Sequence, residues 1–384
     1  MSERTNFYLV FVLWGAGLGA AGQYAKISVI FDRLGPVYPD AGAALGFIVS
    51  LVGFVGILLG VVAGLVVARI RYRRAMLWAL WVGAAMSLFQ SSLPALPLML
   101  ALRAAEGLSH LAIVVCAPTL IAQLSAPRHR GLTLTLWSTF FGVAFTLLVA
   151  LGLPLVDGYG VSALFIAHSL WMAGFAIVLT LFLSPLQEGV EGTLSLRGLL
   201  ADHLSIYRSP WIAAPGAGWL FYTFCFLAIL TVLPPYITPE WRAWVMGAMP
   251  LVSIAVSMTL GVWALRIMSA VQLTQAGFLF SVAALTWLLM APGLPAACLV
   301  LAAGLGLVQG ATFASIPQLN TSASTQAQAY GAMAQTGNLG NTVGTPALLA
   351  MLGVAGYAGM IWTTMLVLVG GFFVHLWMAM RRRH

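Results

Sequence analysis

Apolar residues run along this chain in blocks of twenty or more, separated by short clusters of Pro, Gly and charge. They do not alternate with polar residues as barrel strands would, so each block predicts a helix that is apolar around most of its circumference. A helix rises about 1.5 Å per residue, and roughly twenty apolar residues cross a hydrocarbon layer of about 30 Å. Twelve such segments are expected, over residues 7–30, 43–68, 75–92, 96–124, 132–156, 161–183, 211–234, 241–265, 271–291, 295–319, 327–352 and 357–380. The longest polar interruption separates the sixth from the seventh. The expected organisation is therefore an all-α membrane protein of two six-helix bundles, residues 1–183 and 210–384, joined by a cytoplasmic linker over 184–209.

Composition agrees: 61% of residues are hydrophobic and 7% charged, too little polar surface to cover a water-soluble fold of 384 residues. Cys116, Cys225 and Cys298 sit singly inside apolar runs and read as packing residues, with no metal or disulfide spacing among them. The opening six residues and the apolar run behind them resemble a signal peptide, but the run continues through Ile30 and reads as an uncleaved first span.

The net charge of +8 reports topology. With the N-terminus inside, 13 of the 17 basic residues fall on the cytoplasmic side, Arg33 and Arg242 fall outside, and Lys26 and Arg103 lie within helices. Cytoplasmic loops retain Lys and Arg, so both termini are expected to be cytoplasmic in a bacterial inner membrane, and no nucleic-acid partner is implied. The two halves also echo one another. Gly64-Leu-Val-Val-Ala-Arg69-Ile70 ends segment two as Gly261-Val-Trp-Ala-Leu-Arg266-Ile267 ends segment eight, and Glu106-Gly107 in segment four corresponds to Gln309-Gly310 in segment ten.

The stretch from Gly64 to Arg74 resembles the Gly-x-x-x-Asp-Arg-x-Gly-Arg-Arg signature after the second helix of the major facilitator superfamily. Gly64, Arg69, Arg73 and Arg74 match, while Ala68 stands at the position of the acid. Arg103-Ala-Ala-Glu106-Gly107 is similar to the family's helix-four Arg followed by an acid or amide and Gly. Ala117-Pro118-Thr119 with Pro127-Arg128-His129-Arg130-Gly131 is similar to the cyanate and nitroimidazole transporter branch. The resemblance implies a gating role for Gly64, Arg69, Arg73 and Arg74. It also implies that the first and fourth helices of each half line a central transport path.

Ionisable groups inside a membrane helix are costly and ordinarily face a cavity or a partner. Arg103, Glu106, Gly107 and His110 fall on one face of segment four. Glu106 is the one carboxylate placed deep in a span, which makes it the candidate for a coupling proton; the other reading is a structural Arg–Glu pair. Gln23 and Lys26 share a face of segment one. Counted from mid-span, Lys26 and Arg103 both lie roughly 12 Å toward the outer side and could share a layer. Two cations against one carboxylate suit a small anion or a carboxylate-bearing solute. Alternatively, Lys26 snorkels to the outer headgroups.

The second half offers polarity without charge. Gln335, Asn338, Thr342 and Thr345 follow near-helical spacing on segment eleven, Gln309 lies in segment ten, and Trp219 and Tyr222 form an aromatic pair on segment seven. Such side chains contact solute or hold helices together. His168 reads as a hydrogen-bonded structural histidine ahead of a proton relay. No Walker-type loop, nucleotide fingerprint, HExxH or metal-ligand cluster occurs, so no cofactor or metal is expected and nucleotide-driven pumping is disfavoured.

The expected function is secondary transport of a small solute by a monomer, through alternating access, most simply as proton-coupled uptake. A proton-coupled exporter is the alternative within transport. A transporter-shaped sensor or assembly factor, or an intramembrane enzyme, is the alternative outside it.

Overall fold

The structure is a computed structural model that describes residues 4–60, 71–184 and 204–382. Within them the chain is helical almost throughout. We number the spanning helices α1 Phe7–Val29, α2 Gly42–Gly60, α3 Tyr72–Gln90, α4 Leu96–Leu124, α5 Phe140–Tyr159, α6 Val161–Phe182, α7 Ala213–Val232, α8 Pro239–Ala264, α9 Ala270–Met290 and α10 Pro295–Leu319. A final run, Ala323–Arg381, breaks at Gly356 into α11 (323–355) and α12 (357–381). Apart from α3, all are apolar enough to span a membrane by length and composition, the final run counting as one stretch of 54 residues, Gln328–Arg381, long enough to cross twice. In α3, 19 residues long, Arg73 and Arg74 in the first turn dilute the apolar run. With α3 counted and the final run divided at Gly356, the described residues hold twelve helices, the number of apolar blocks expected.

Local chemistry sets the ends. Asn6 caps α1 by accepting from the Leu9 amide at 3.0 Å. Ser269 and Gln272 form a reciprocal capping box at α9. Proline occupies the first turn of α4, α8 and α10, where the missing N–H costs nothing. A π-turn over Leu148–Gly152 precedes Pro154 in α5, as a proline that cannot donate demands. Between segments eleven and twelve a gap is expected from residue 353 to 356. Only Gly356, at φ 63°, leaves helical geometry there, and a left-handed backbone without a Cβ is enough to turn the chain.

The described chain forms two compact units, one of residues 1–41 and 51–193, the other of residues 42–50 and 194–384. In the first, α1, α3, α4, α5 and α6 close over an apolar core of Leu9, Leu13, Met76, Leu80, Ile113 and Met172. Gly107 lets α4 approach the backbone of α2, since a Cβ there would meet the Val52 carbonyl oxygen at 2.5 Å. Gly310 plays the same part on α10, where a Cβ would collide with Ser257 of α8. The Glu106-Gly107 and Gln309-Gly310 echo thus has a structural counterpart in the packing of the fourth helix on the second within each half. In the second unit, residues 42–50 pack on α11: Pro346 Cα lies 3.0 Å from where a Cβ on Gly46 would be, and Thr342 donates to the Ser50 carbonyl at 3.2 Å.

Candidate functional site

Four helices of the first unit converge on one polar cluster. The α1 backbone brings in Gln23 and Lys26, α3 Ser87 and Gln90, α4 Arg103, Glu106 and Ser109, and α6 His168. Lys26, Arg103, Glu106 and Gln23 have no exposed surface at all. Desolvating an ion costs several kcal/mol, so every charge here must be paired and hydrogen-bonded. Glu106 supplies the pairing. Its Oε1 accepts from Lys26 Nζ at 2.7 Å, and its Oε2 accepts from Arg103 and, at 2.8 Å, from Gln90. Arg103 donates a second bond to the Gln23 carbonyl, and Gln23 Nε2 donates to Ser109 Oγ at 2.8 Å.

The hydrogen inventory can be followed around the cluster. An ammonium has three donors, and Lys26 directs them at Glu106 Oε1, at Ser87 Oγ (2.9 Å) and at His168 Nδ1 (3.3 Å). The Gly19 carbonyl can only accept, so His168 Nε2, 2.9 Å away, carries a hydrogen. His168 Nδ1 is then the acceptor of a neutral ring. Ser87 passes its own hydrogen to the Phe165 carbonyl at 3.0 Å. The Lys26 ammonium also lies 5.3 Å from the Phe165 ring centroid.

The snorkelling alternative for Lys26 does not hold, because its ammonium turns inward to Glu106. His110 stands one turn along α4. Its Nδ1 donates to the Ala20 carbonyl at 3.0 Å, and its ring meets Tyr24 edge-on at 5.0 Å, so it borders the cluster without touching Glu106. Ser87, Gln90 and Ser109 are the members that sequence reasoning missed, while His168, read as a hydrogen-bonded structural histidine, joins the cluster through Lys26. The signal for two of them is legible in retrospect, since Ser87 and Gln90 are an i, i+3 polar pair near the end of an otherwise apolar helix.

The polar residues of the second unit divide into separate places. Gln309 Oε1 accepts from Tyr222 and from Ser253, each at 3.2 Å, which joins α7, α8 and α10. Tyr222 stacks between Trp219 and Phe226, with centroids at 4.8 and 5.2 Å. Its ring is thus held in an aromatic stack while its hydroxyl is hydrogen-bonded to Gln309. Gln335 accepts from Tyr207, in a short helical turn over 204–208, at 2.7 Å. Asn338 donates back to the Ala334 carbonyl of its own helix at 2.9 Å. Of the loop residues, Arg73 donates to the Leu183 and Thr180 carbonyls and so ties the start of α3 to the end of α6, while Arg74 is exposed. Gly64 and Arg69 lie outside the described residues. Among the described residues, no three His, Cys, Asp or Glu side chains gather as a metal site would need.

An all-helical fold of spanning segments, carrying a helix-four Arg–Glu pair inside its first unit, is the setting in which comparison with known proteins decides. The sequence profile of the Major Facilitator Superfamily matches residues 9–345. The chain belongs to the Major Facilitator Superfamily. It is thus a membrane transporter of that superfamily, not an enzyme, with the superfamily's two six-helix bundles. Among solved structures it is similar to a bacterial homolog of the human lysosomal transporter Spinster, in an inward-facing and occupied conformation. The TM-score is 0.75 and the identity 14%, over 99% of this chain and 98% of that one, a likeness of fold. No curated protein matches the chain.

Proposed function

We propose that this transporter moves a small anionic or carboxylate-bearing solute across a bacterial inner membrane by alternating access, as proton-coupled uptake. The observation that carries the reading is the charge count of the buried cluster. Lys26 and Arg103 face a single carboxylate, Glu106, and the remaining acceptors are neutral. Of the other carboxylates, Asp32 and Asp157 pair with the exposed Arg33, at 3.6 and 2.8 Å, so they do not offset the buried excess. An excess positive charge out of water attracts an anion over a cation. Gln23, Lys26, Arg103 and His110 then form the solute-selecting side of the first unit, and Glu106 is the group that exchanges a proton as its cationic partners turn to the solute. Tyr222, Gln309, Gln335 and Asn338 supply hydrogen bonds from the second unit. Gly64, Arg69, Arg73 and Arg74 act at the gating loop. The lopsided distribution of basic residues supports cytoplasmic termini, and the protein works as a monomer. The likeness of residues 117–119 and 127–131 to the cyanate and nitroimidazole branch supports a small solute.

The test is accumulation in proteoliposomes under an imposed pH gradient, with a panel of small anions, zwitterions and cations. The wild type is expected to concentrate an anion, Glu106→Gln to lose gradient-driven accumulation, and Arg103→Ala to lose discrimination between anion and cation. Unchanged accumulation by Glu106→Gln overturns the proton assignment. Unchanged selectivity in both Arg103→Ala and Lys26→Ala overturns the charge assignment.

A further inference from the structure

Glu106 is held by donors of two kinds. Lys26 bonds its Oε1 at 2.7 Å and Arg103 bonds its Oε2, and both are cations; Gln90 Nε2, 2.8 Å from Oε2, belongs to a neutral amide. A carboxylate only accepts, whereas a carboxylic acid must also give its new hydrogen to an acceptor. Proton uptake at this place therefore requires one donor to give way and an acceptor to stand in its stead.

The three donors are not equally free to leave. Lys26 and Arg103 have no exposed surface, so turning either away from an unaltered carboxylate would strand a buried charge. Moving Gln90 strands none. Its Oε1 is buried and has no hydrogen-bond partner among the described residues, so that oxygen does not anchor the amide. The oxygen and nitrogen of an amide are nearly alike in size, and a half-turn about the Cγ–Cδ bond exchanges them without calling for empty space. Oε1 then stands where Nε2 stood, 2.8 Å from Glu106 Oε2, a separation that suits O–H···O as well as N–H···O. The pair keeps one hydrogen bond in either state.

No other group beside Glu106 offers this exchange. The charged and titratable side chains around it are Lys26 of α1, Arg103 and His110 of α4 and His168 of α6, while α3 contributes the neutral Ser87 and Gln90. Lys26 and Arg103 only donate, His168 Nδ1 already accepts from Lys26, and His110 does not touch Glu106. Gln23 also has an unpartnered Oε1, but its Nε2 bonds the Ser109 hydroxyl instead of the carboxylate.

We propose that Gln90 is the positioning residue for the coupling proton. The proton, taken from water during the transport cycle, bonds to Glu106 Oε2 on the side facing Gln90, and the amide turns over so that its oxygen accepts the new O–H. Lys26 and Arg103 keep their places while this happens. A neutral acid no longer holds them by charge, and they are then free to turn to an anionic solute. The inference rests on the reading of Glu106 as the proton-exchanging group.

The experiment is magic-angle-spinning NMR of the full-length protein in lipid bilayers, with carbon-13 at glutamate carboxyls and nitrogen-15 in glutamine and arginine side chains, titrated from neutral toward acid pH. Glu106 is recognised by its coupling to arginine nitrogen. Its coupling to the Gln90 nitrogen is assigned by the loss of that signal in Gln90→Met, or in Gln90→Leu should the first variant fail to fold. Both couplings are expected at neutral pH. Where the carboxyl shift reports the neutral acid, the Gln90 coupling is expected to be lost as the nitrogen turns away, while the Arg103 coupling persists. A carboxyl that turns neutral with the Gln90 coupling intact, or with the Arg103 coupling lost in its place, overturns the switch and spares the proton assignment. A carboxyl that stays ionised throughout, both in the wild type and in Lys26→Met with one cation removed, overturns the proton assignment and the switch with it.

Discussion

Glu106→Gln is the sharpest perturbation of the buried cluster, because it removes the one counter-charge of two cations while keeping the side chain's size. At 2.7 Å and an effective dielectric of about 20, the Lys26–Glu106 attraction amounts to about 6 kcal/mol. Desolvation of both ions offsets part of that, and removing one partner of a buried pair costs about 3–5 kcal/mol in practice. Glu106→Gln would leave Lys26 and Arg103 facing one another, with a neutral amide between them. Lys26→Met is a different case. It leaves the Arg103–Glu106 pair electrically balanced, and it gives up the bonds to Glu106, Ser87 and His168 while shedding the ammonium's own desolvation cost, for a net loss of about 1–2 kcal/mol. The double variant Lys26→Met/Glu106→Gln should be less harmful than the two losses taken together, by about 2–3 kcal/mol, since the stranded ammonium is gone. Reversible unfolding in mixed detergent micelles, followed through the 13 tryptophans, measures all three. If Lys26→Met proves as damaging as Glu106→Gln, or the two changes simply add, the pairing described here is wrong.

Other outcomes follow from the packing. Gly107→Val should abolish folded, membrane-inserted protein, because its Cβ would press on the Val52 carbonyl at 2.5 Å and the α4 and α2 backbones have no room to part; size-exclusion of the detergent extract reads this. Arg33→Ala should change stability by less than about 1 kcal/mol in the same unfolding assay, since its bridge to Asp157 joins two half-exposed groups in water. Burial pushes the Tyr207 hydroxyl up to about 12, so the folded state keeps its proton where the unfolded chain has lost it. Stability tied to Tyr207 is therefore full below about pH 10 and declines as pH rises toward 12, and Tyr207→Phe should flatten that decline while losing about 1 kcal/mol with the bond to Gln335.

Much of the architecture was legible in the sequence because bilayer thickness leaves little choice. An apolar block of spanning length becomes a helix, and the blocks were long enough to count. Where the chain turns is less legible: Gly356 looks like any other glycine in a glycine-rich stretch, and its left-handed geometry follows from how α11 and α12 pack. The site divides in the same way. Arg103 and Glu106 stand out because charge in lipid is rare, and Lys26 shares that signal. Ser87, Gln90 and His168 give a weaker signal, since a serine or a lone histidine in an apolar helix says little about azimuth, and only the packing of α3 and α6 turns them toward Lys26 and Glu106. His375 and Thr312 show the limit most plainly. They are 63 residues apart on different helices, and they meet only because both pack against Gly218 on a third.

The account rests on the enclosed cluster becoming open to water and solute during transport. Ser109, fully buried and 2.8 Å from Gln23 Nε2, can report this as Ser109→Cys in a chain whose Cys116, Cys225 and Cys298 are replaced by alanine. The rate of labelling by small anionic and cationic thiol reagents in liposomes is the measurement. The account predicts labelling that is faster for the anionic reagent and slowed by the transported anion. A cysteine that stays unreactive toward both reagents, with the transport activity intact, would contradict it.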